Sequence, residues 1–120
     1  MSRKPEDLII YQEAYKLSLD IYKIKLPQQE QYELGKQLRR ASTSVVLNIS
    51  EGSARRTNKE FLQFLNQANG SAQECKTIVS LLKDLNYLDL TTFNNLSNRF
   101  DKLGRQITLF SKSVRGPNVE

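Results

Sequence analysis

The arginine and lysine residues of this chain fall into two clusters, and their side chains are the groups best suited to chemistry with a ligand. Residues 36–59 contain six cationic residues and a single acidic one, Glu51. Residues 99–115 contain five cationic residues and a single acidic one, Asp101. Cations clustered in this way favour a polyanionic partner, with phosphate oxygens as the expected contacts. A solvated basic rim that only keeps the protein soluble is the alternative.

The densest part of the first cluster precedes a predicted helix N-terminus. The segment Thr57-Asn-Lys-Glu60 has the spacing of a capping box, in which a threonine is followed three residues later by a glutamate. Free N–H groups at a helix start and bidentate guanidinium groups both bind phosphate oxygens. We therefore predict salt-sensitive binding of nucleic acid without sequence preference. The residues predicted to carry it are Arg39, Arg55, Arg56, Lys59, Arg99, Lys102 and Arg105.

A second group of polar residues borders the apolar face of one predicted helix. At ~100° per residue, Arg40, Ser44 and Glu51 fall along one edge of that face. Arg40 and Glu51 are ~16 Å apart along the helix, too far for an ion pair, so each needs another partner. Gly70 interrupts a later helix at a cost of ~1 kcal/mol, which favours the close approach of another backbone. The residues predicted to form a structural polar network or a subunit contact are Arg40, Ser44, Asn48, Glu51, Gly70 and Glu74.

The composition argues against catalysis, metals and cofactors. The chain has no histidine, and Cys75 is its only cysteine, so an internal disulfide and CxxC-type zinc or redox motifs are absent. Glu51 could act as a general acid or base, but no second catalytic group accompanies it, and we expect no enzymatic activity. No apolar run reaches the ~18 residues of a membrane span, and no secretory signal follows Met1. We expect a cytoplasmic protein without metal or cofactor.

Four amphipathic segments position these residues. Apolar residues recur with helical spacing over about 6–25, 31–50, 57–85 and 91–115. Proline or glycine lies near the ends of several segments, and Gly52 is predicted to end the second helix in a left-handed cap. Short connections make consecutive helices antiparallel neighbours. The sequence therefore predicts an all-α protein in which residues 1–120 form one up-down-up-down four-helix bundle.

Several short motifs together resemble one known family. They are Gln37-Leu-Arg-Arg-Ala, Ser44-Val, Asn48-Ile-Ser-Glu51-Gly, Lys59-Glu-Phe, and Gly70-Ser71 with Glu74. The pattern resembles the four helix bundle protein family, also called the S23 ribosomal protein or 23S rRNA-intervening-sequence protein family. The resemblance implies a four-helix bundle that assembles into a homopentameric ring. That family is similar to the accessory variability protein of diversity-generating retroelements, which implies nucleic acid and a reverse transcriptase as partners.

Two classes of function stay open at this stage. The first is a non-enzymatic, oligomeric protein that binds RNA or DNA through its basic patches. The second is a structural or adaptor scaffold whose ring surface binds another protein, with the basic patches facing an acidic partner. An enzyme is the third and least favoured class, because the sequence lacks a set of catalytic groups.

Overall fold

The computed structural model describes residues 3–116, and within that range it contains helices and connections but no strand. A 3₁₀ turn over Pro5–Asp7 comes before the first helix. The helices are α1 (Ile9–Tyr22), α2 (Gln28–Tyr32), α3 (Leu34–Ser53), α4 (Asn58–Asp84) and α5 (Leu90–Arg115). The body measures 48 × 21 × 20 Å, so the long helices α3, α4 and α5 run along its length.

Consecutive long helices pack side by side in opposite directions. Asn58, in the first turn of α4, donates a hydrogen bond to the carbonyl oxygen of Val114 in the last turn of α5. Further along α4, Lys76 instead pairs with Asp101, which lies earlier in α5. The helix α3 packs between α1 and α4, and α5 packs between α4 and α1. The predicted four-helix bundle is confirmed for the described residues.

The core consists of the apolar stripes that the sequence spacing identified. One side chain in every three or four along each long helix is buried, as expected when a helix packs one face against its neighbours. The core residues are Leu8 before α1, Ile10, Ala14, Leu17 and Ile21 of α1, Leu38, Ala41, Val45 and Ile49 of α3, Phe61, Leu65, Ala68, Ala72, Cys75, Ile78, Val79 and Leu82 of α4, and Leu96, Phe100, Leu103, Ile107 and Val114 of α5.

Two predicted helices have different bounds in the structure. The first begins at Ile9 rather than at residue 6, because Leu8 is extended, with φ −90° and ψ 127°. It ends at Tyr22, earlier than the predicted end at residue 25. The second predicted helix is divided into α2 and α3 at Glu33, whose φ of −102° and ψ of −100° are not helical.

The predicted left-handed cap at Gly52 is wrong. The helix α3 continues through Gly52 to Ser53, and Ala54 follows in the right-handed region. Gly52 instead lies where α3 meets the start of α4, since a Cβ there would be 2.7 Å from the Cβ of Phe64. Glycine is needed at this position for close helix contact and not for backbone conformation.

The ends of α4 and α5 have local hydrogen-bonding explanations. The predicted cap at Thr57 is confirmed, because its side chain accepts a hydrogen bond from the N–H of Glu60 at 3.1 Å. At the other end of α4, Asn86 adopts a positive φ of 65°. The N–H of Tyr87 then reaches the Leu82 carbonyl at 2.8 Å, as in a Schellman motif. Gly116-Pro117 is the stop that the sequence predicts for the fourth helix, and α5 does end at Arg115, where the N–H of Gly116 (φ 84°) reaches the Lys112 carbonyl at 3.1 Å. Pro117 lies outside the described residues.

Candidate nucleic-acid interface

Five exposed cations meet at one end of the bundle, where the α3–α4 turn approaches the last turn of α5. We call this surface the basic end, and its residues are Arg55, Arg56, Lys59, Lys112 and Arg115. The hydrogen bond from the Asn58 side chain to the Val114 carbonyl, at 3.1 Å, joins the two helix ends directly. Folding therefore combines members of both cationic clusters of the sequence on one surface.

Arg3 adds a sixth cation, and a fourth guanidinium group, to the basic end. Its guanidinium carbon lies 4.8 Å from the centre of the Phe61 ring. Its nitrogens donate to the Asn58 side-chain oxygen and, at 3.5 Å, to the Arg55 carbonyl. The sequence interpretation missed Arg3, because a single arginine near the start of the chain belongs to neither cationic cluster.

The positive charge of the basic end is not paired within the part of the chain that the structure describes. The ion pairs of residues 3–116 are Lys16–Glu13, Lys76–Asp101, Lys83–Asp84 and Arg99–Asp20. Glu60, in the first turn of α4, accepts a hydrogen bond from the Thr57 hydroxyl at 3.0 Å. Arg55 packs 4.7 Å above the Phe64 ring, a contact that orients its guanidinium group and keeps its charge. Within residues 3–116, no carboxylate competes with an external anion for these cations.

A groove leads away from the basic end between α4 and α5. It consists of two pockets of about 320 and 450 Å³ that share Asn69 and Thr108. Lys112 and Arg115 line the pocket beside the basic end, and Arg105 lines the other pocket. We call this feature the α4–α5 groove. Cations thus continue along α5 from the basic end toward the middle of the bundle.

Comparison with known proteins identifies the family. The family model described as 23S rRNA-intervening sequence protein matches residues 6–109. The chain belongs to this family. It is also similar to the crystal structure of a protein of unknown function from the S23 ribosomal protein family of Bacteroides thetaiotaomicron. That likeness has a TM-score of 0.79 at 21% identity and covers 86% of this chain and 95% of the other, so it shows a shared fold. No curated protein matches the chain.

The three cations predicted on α5, Arg99, Lys102 and Arg105, do not lie together in the structure. Arg99 forms an ion pair with Asp20 of α1 at 2.8 Å and also donates to Asn95 at 3.1 Å. Arg105 faces the opposite flank, where it lines the α4–α5 groove. Lys102 is exposed between those flanks. Of the three, the structure brings only Arg105 into line with the basic end.

Arg39 lies at the other end of the bundle and contacts the chain itself. Its guanidinium group donates to the side-chain oxygen of Gln31 at 3.0 Å and to the Gln31 carbonyl at 2.8 Å. The guanidinium carbon also lies 6.0 Å from the Tyr22 ring. These contacts join α2 to α3. The Gln31 carbonyl is available as an acceptor because it belongs to the last turn of α2, where the carbonyl oxygens of a helix have no partner within the helix. The predicted contact of Arg39 with phosphate stays a prediction.

Part of the predicted polar network forms within the chain. The Ser44 and Ser71 hydroxyls lie 2.9 Å apart and join α3 to α4. Asn48 donates to the Ser44 carbonyl at 2.9 Å and to the Ser44 hydroxyl at 3.0 Å. The other predicted members, Arg40, Glu51, Gly70 and Glu74, are all exposed. A Cβ at Gly70 would meet nothing from residues 3–116 within 4 Å, so the described surface there is open to an approaching molecule.

Other reactive groups are sparse in the described part of the chain. Burial, with a smaller contribution from the neighbouring charge of Glu74, raises the pKa of the Cys75 thiol to about 12. Within residues 3–116, no three His, Cys, Asp or Glu side chains are grouped so that they could hold a metal ion. None of the described helices is long and apolar enough to span a membrane.

Proposed function

We propose that this protein is a non-enzymatic, oligomeric nucleic-acid-binding protein that contacts phosphates through its basic end. The observation that carries the proposal is the convergence of Arg55, Arg56 and Lys59 with Lys112 and Arg115. These exposed cations have no ion-pair partner within residues 3–116. A surface of unpaired guanidinium and ammonium groups has the chemistry of phosphate binding.

The helix termini at the basic end explain only some of these cations. Lys112 and Arg115 lie in the last turn of α5, where positive charge compensates the negative end of the helix dipole. Arg55 and Arg56 lie in the turn between the C-terminus of α3, whose dipole favours cations, and the N-terminus of α4, whose dipole disfavours them, and Lys59 lies in the first turn of α4. Helix dipoles therefore do not account for the whole cluster, and an external anion explains why these cations lie together.

Phosphate contacts position a nucleic acid without reading its sequence. We therefore expect binding of both RNA and DNA, with an affinity that falls steeply as salt is added. Each phosphate contact contributes a slope of roughly −0.9 in log K against log salt for a duplex. The loss of two contacts should therefore make that slope shallower by about 2.

Removing charge at the basic end tests the proposal. The double variant Arg55→Gln/Arg56→Gln should weaken binding to duplex RNA and DNA by roughly tenfold or more at low salt, with a shallower salt slope. The matched control is Lys23→Gln/Lys25→Gln, which removes two exposed cations from the far end of α1. Absence of binding by the unaltered protein at low salt, or equal losses in both variants, would contradict the proposal.

The second candidate function, a scaffold that binds protein, is supported by a different surface. Tyr15, Leu19 and Tyr22 of α1 and Leu47 of α3 are between 47% and 57% exposed. Tyr22 and Leu47 line one pocket of about 400 Å³ together with Arg40. Exposed apolar residues grouped beside polar ones are typical of protein contacts. We define these four apolar residues as the α1–α3 face.

The α1–α3 face fits either a second copy of the chain or another protein. The family resemblance implies a homopentameric ring, and we propose that this face or the open surface at Gly70 contributes to subunit contact. Size exclusion with light scattering should give a mass several times the 13.8 kDa of one chain. A monomer at all concentrations, together with capture of one protein partner that survives nuclease treatment, would favour the adaptor function instead.

A further inference from the structure

The α4–α5 groove carries polar groups that phosphate binding alone does not require. Asn66, Asn69 and Gln73 of α4 line it opposite Thr108 of α5. Asn69 donates to the Thr108 hydroxyl at 3.3 Å. The side chains of Asn66 and Gln73 form no hydrogen bond with any residue of the described range 3–116, although both are exposed beside the groove. Amide groups of this kind can donate to and accept from the edges of bases.

We infer that the α4–α5 groove binds one single strand of nucleic acid, which runs from the basic end toward Arg105. The inference rests on the proposed function and adds the form of the ligand and its path. Backbone phosphates contact Arg105, Lys112 and Arg115, while bases turn toward the amides of α4. The Watson–Crick edges of the bases are available for such contacts in a single strand, because pairing occupies them in a duplex.

The dimensions of the groove favour a single strand over a duplex. Packed helices lie ~8–10 Å apart, and the whole bundle is only 21 × 20 Å in cross-section. A double helix is about as wide as the bundle itself, so it can lie across the basic end but cannot enter the groove. From Arg105 to Arg115 the groove follows α5 for ~15 Å, enough for several nucleotides of an extended strand.

The charge along the groove is favourable over this length. Among the residues that the structure describes, Asp101 is the one acidic residue that lines either pocket, and it lies at the end far from Arg115. Its carboxylate pairs with the ammonium group of Lys76 at 2.5 Å, which offsets its charge. The strand therefore meets net positive charge along the groove, and the Asp101–Lys76 pair marks the place where the cationic path ends.

Gly104 keeps the middle of the groove open. It lines the larger pocket from the interior of α5, where glycine costs ~1 kcal/mol relative to alanine. Among residues 3–116, a Cβ at Gly104 would meet the side-chain oxygen of Asn69 alone, at an ordinary contact distance of 3.4 Å. A methyl group therefore fits at Gly104, and a longer side chain there extends into the groove without any change in charge.

Filling the groove tests the inference independently of charge. Gly104→Leu and Gln73→Leu block the groove from its two walls, and Thr91→Leu is a control at an exposed position of α5 that lies outside the groove and at the end of the helix far from the basic end. Binding is measured by fluorescence anisotropy with a labelled single strand of about 15 nucleotides and with the duplex of the same sequence. Circular dichroism verifies that each variant is folded.

The groove variants should weaken single-strand binding by roughly tenfold and duplex binding by less than about twofold, while Thr91→Leu changes neither. Equal losses for single strand and duplex, or no loss from either groove variant, would overturn the groove assignment and leave the proposed function standing. Absence of any binding by the unaltered protein at low salt would overturn both.

Discussion

At the scale of single residues, the arginines differ in what already occupies their guanidinium groups. Arg39 is bound to Gln31 and Arg99 to Asp20, so both hold elements of the bundle together. Arg55 rests on an aromatic ring, and Arg56 is exposed. A guanidinium group that must break internal hydrogen bonds before it meets phosphate binds less strongly than one that is already free. Residue type alone did not distinguish these cases in the sequence.

Arg39 provides a direct test of this distinction. Arg39→Gln should lower the free energy of unfolding by ~1–3 kcal/mol, because two hydrogen bonds from a charged, half-buried group are lost. Arg56→Gln, an equal change of charge at an exposed site, should leave stability nearly unchanged but weaken nucleic-acid binding more. Urea unfolding and salt titrations of binding measure the two effects. If Arg39→Gln weakens binding as much as Arg56→Gln does, the phosphate contact predicted for Arg39 is supported.

Cys75 should be inert in the folded protein. Its pKa is raised from 9.0 to about 12 by burial and, to a smaller extent, by the charge of Glu74, so the thiolate is nearly absent at pH 8. Because the folded pKa lies above the unfolded one, the thiol's contribution to stability is complete below pH 9 and is lost as the pH rises toward 12. An aromatic disulfide reagent should label the thiol only after urea unfolding.

The variant Cys75→Ala separates this effect from other titrations. Urea unfolding at mildly and strongly alkaline pH should show a smaller loss of stability for Cys75→Ala than for the unaltered chain. Rapid labelling of the native thiol at pH 8 would contradict the burial of Cys75 in the core, where reagents cannot reach the thiol.

At the scale of elements, the sequence predicted the long helices better than their ends. Apolar spacing over many turns is set by burial, which is why the stripes of α3, α4 and α5 match the core. A helix end depends on one or two local conformations. The extended Leu8 and the non-helical Glu33 leave no periodic signal, so the late start of α1 and the break before α3 were not predicted. The capping box at Thr57 was predictable because its hydrogen bonds are local.

The sequence predicted the positive charge of the candidate interface but not which residues form it. Counting cations identified both clusters, whereas their convergence depends on the antiparallel contact between the start of α4 and the end of α5. The sequence places Lys112 and Arg115 in the second cationic cluster, and only the contact between Asn58 and Val114 shows that they lie beside Arg55. The separation of Arg99 from Arg105 follows from helix geometry, since six residues at ~100° each place two side chains on different flanks.

Replacement by alanine should change the stability of the protein in opposite directions at two helical glycines. Gly104→Ala should raise the free energy of unfolding by ~0.5–1 kcal/mol, because helix propensity improves and the new methyl group has room. Gly52→Ala gains the same propensity but places its Cβ 2.7 Å from the Cβ of Phe64, close to a backbone that cannot yield. Stability should therefore fall. Urea unfolding of both variants is the measurement, and a stabilised Gly52→Ala would refute the close α3–α4 contact.

At the scale of the whole molecule, the proposed contacts occupy different sides of the bundle. Nucleic acid is assigned to the basic end and to the α4–α5 groove. The α1–α3 face and the open surface at Gly70 remain available for protein contacts. One copy could therefore bind nucleic acid while it contacts its neighbours, and a ring would present several basic ends together. Repetition of a weak site raises the overall affinity without any new contact.

Gly70 is the position at which this arrangement can be tested with least damage to the fold. A Cβ at Gly70 would meet nothing from residues 3–116 within 4 Å. We therefore expect Gly70→Leu to keep the helical content and stability of the single bundle. If subunits approach at this surface, the leucine holds them apart, and light scattering should show a mass falling toward the 13.8 kDa of one chain. Ser113→Leu, which places an exposed leucine elsewhere on the bundle, should keep the assembled mass.

The same variant also tests how assembly affects binding. Gly70→Leu should weaken the binding of long nucleic acids together with assembly. It should not weaken the binding of a strand that fills one groove, because only the long ligand benefits from several linked sites. An assembled mass unchanged by Gly70→Leu would exclude this surface and leave the α1–α3 face as the subunit contact to examine.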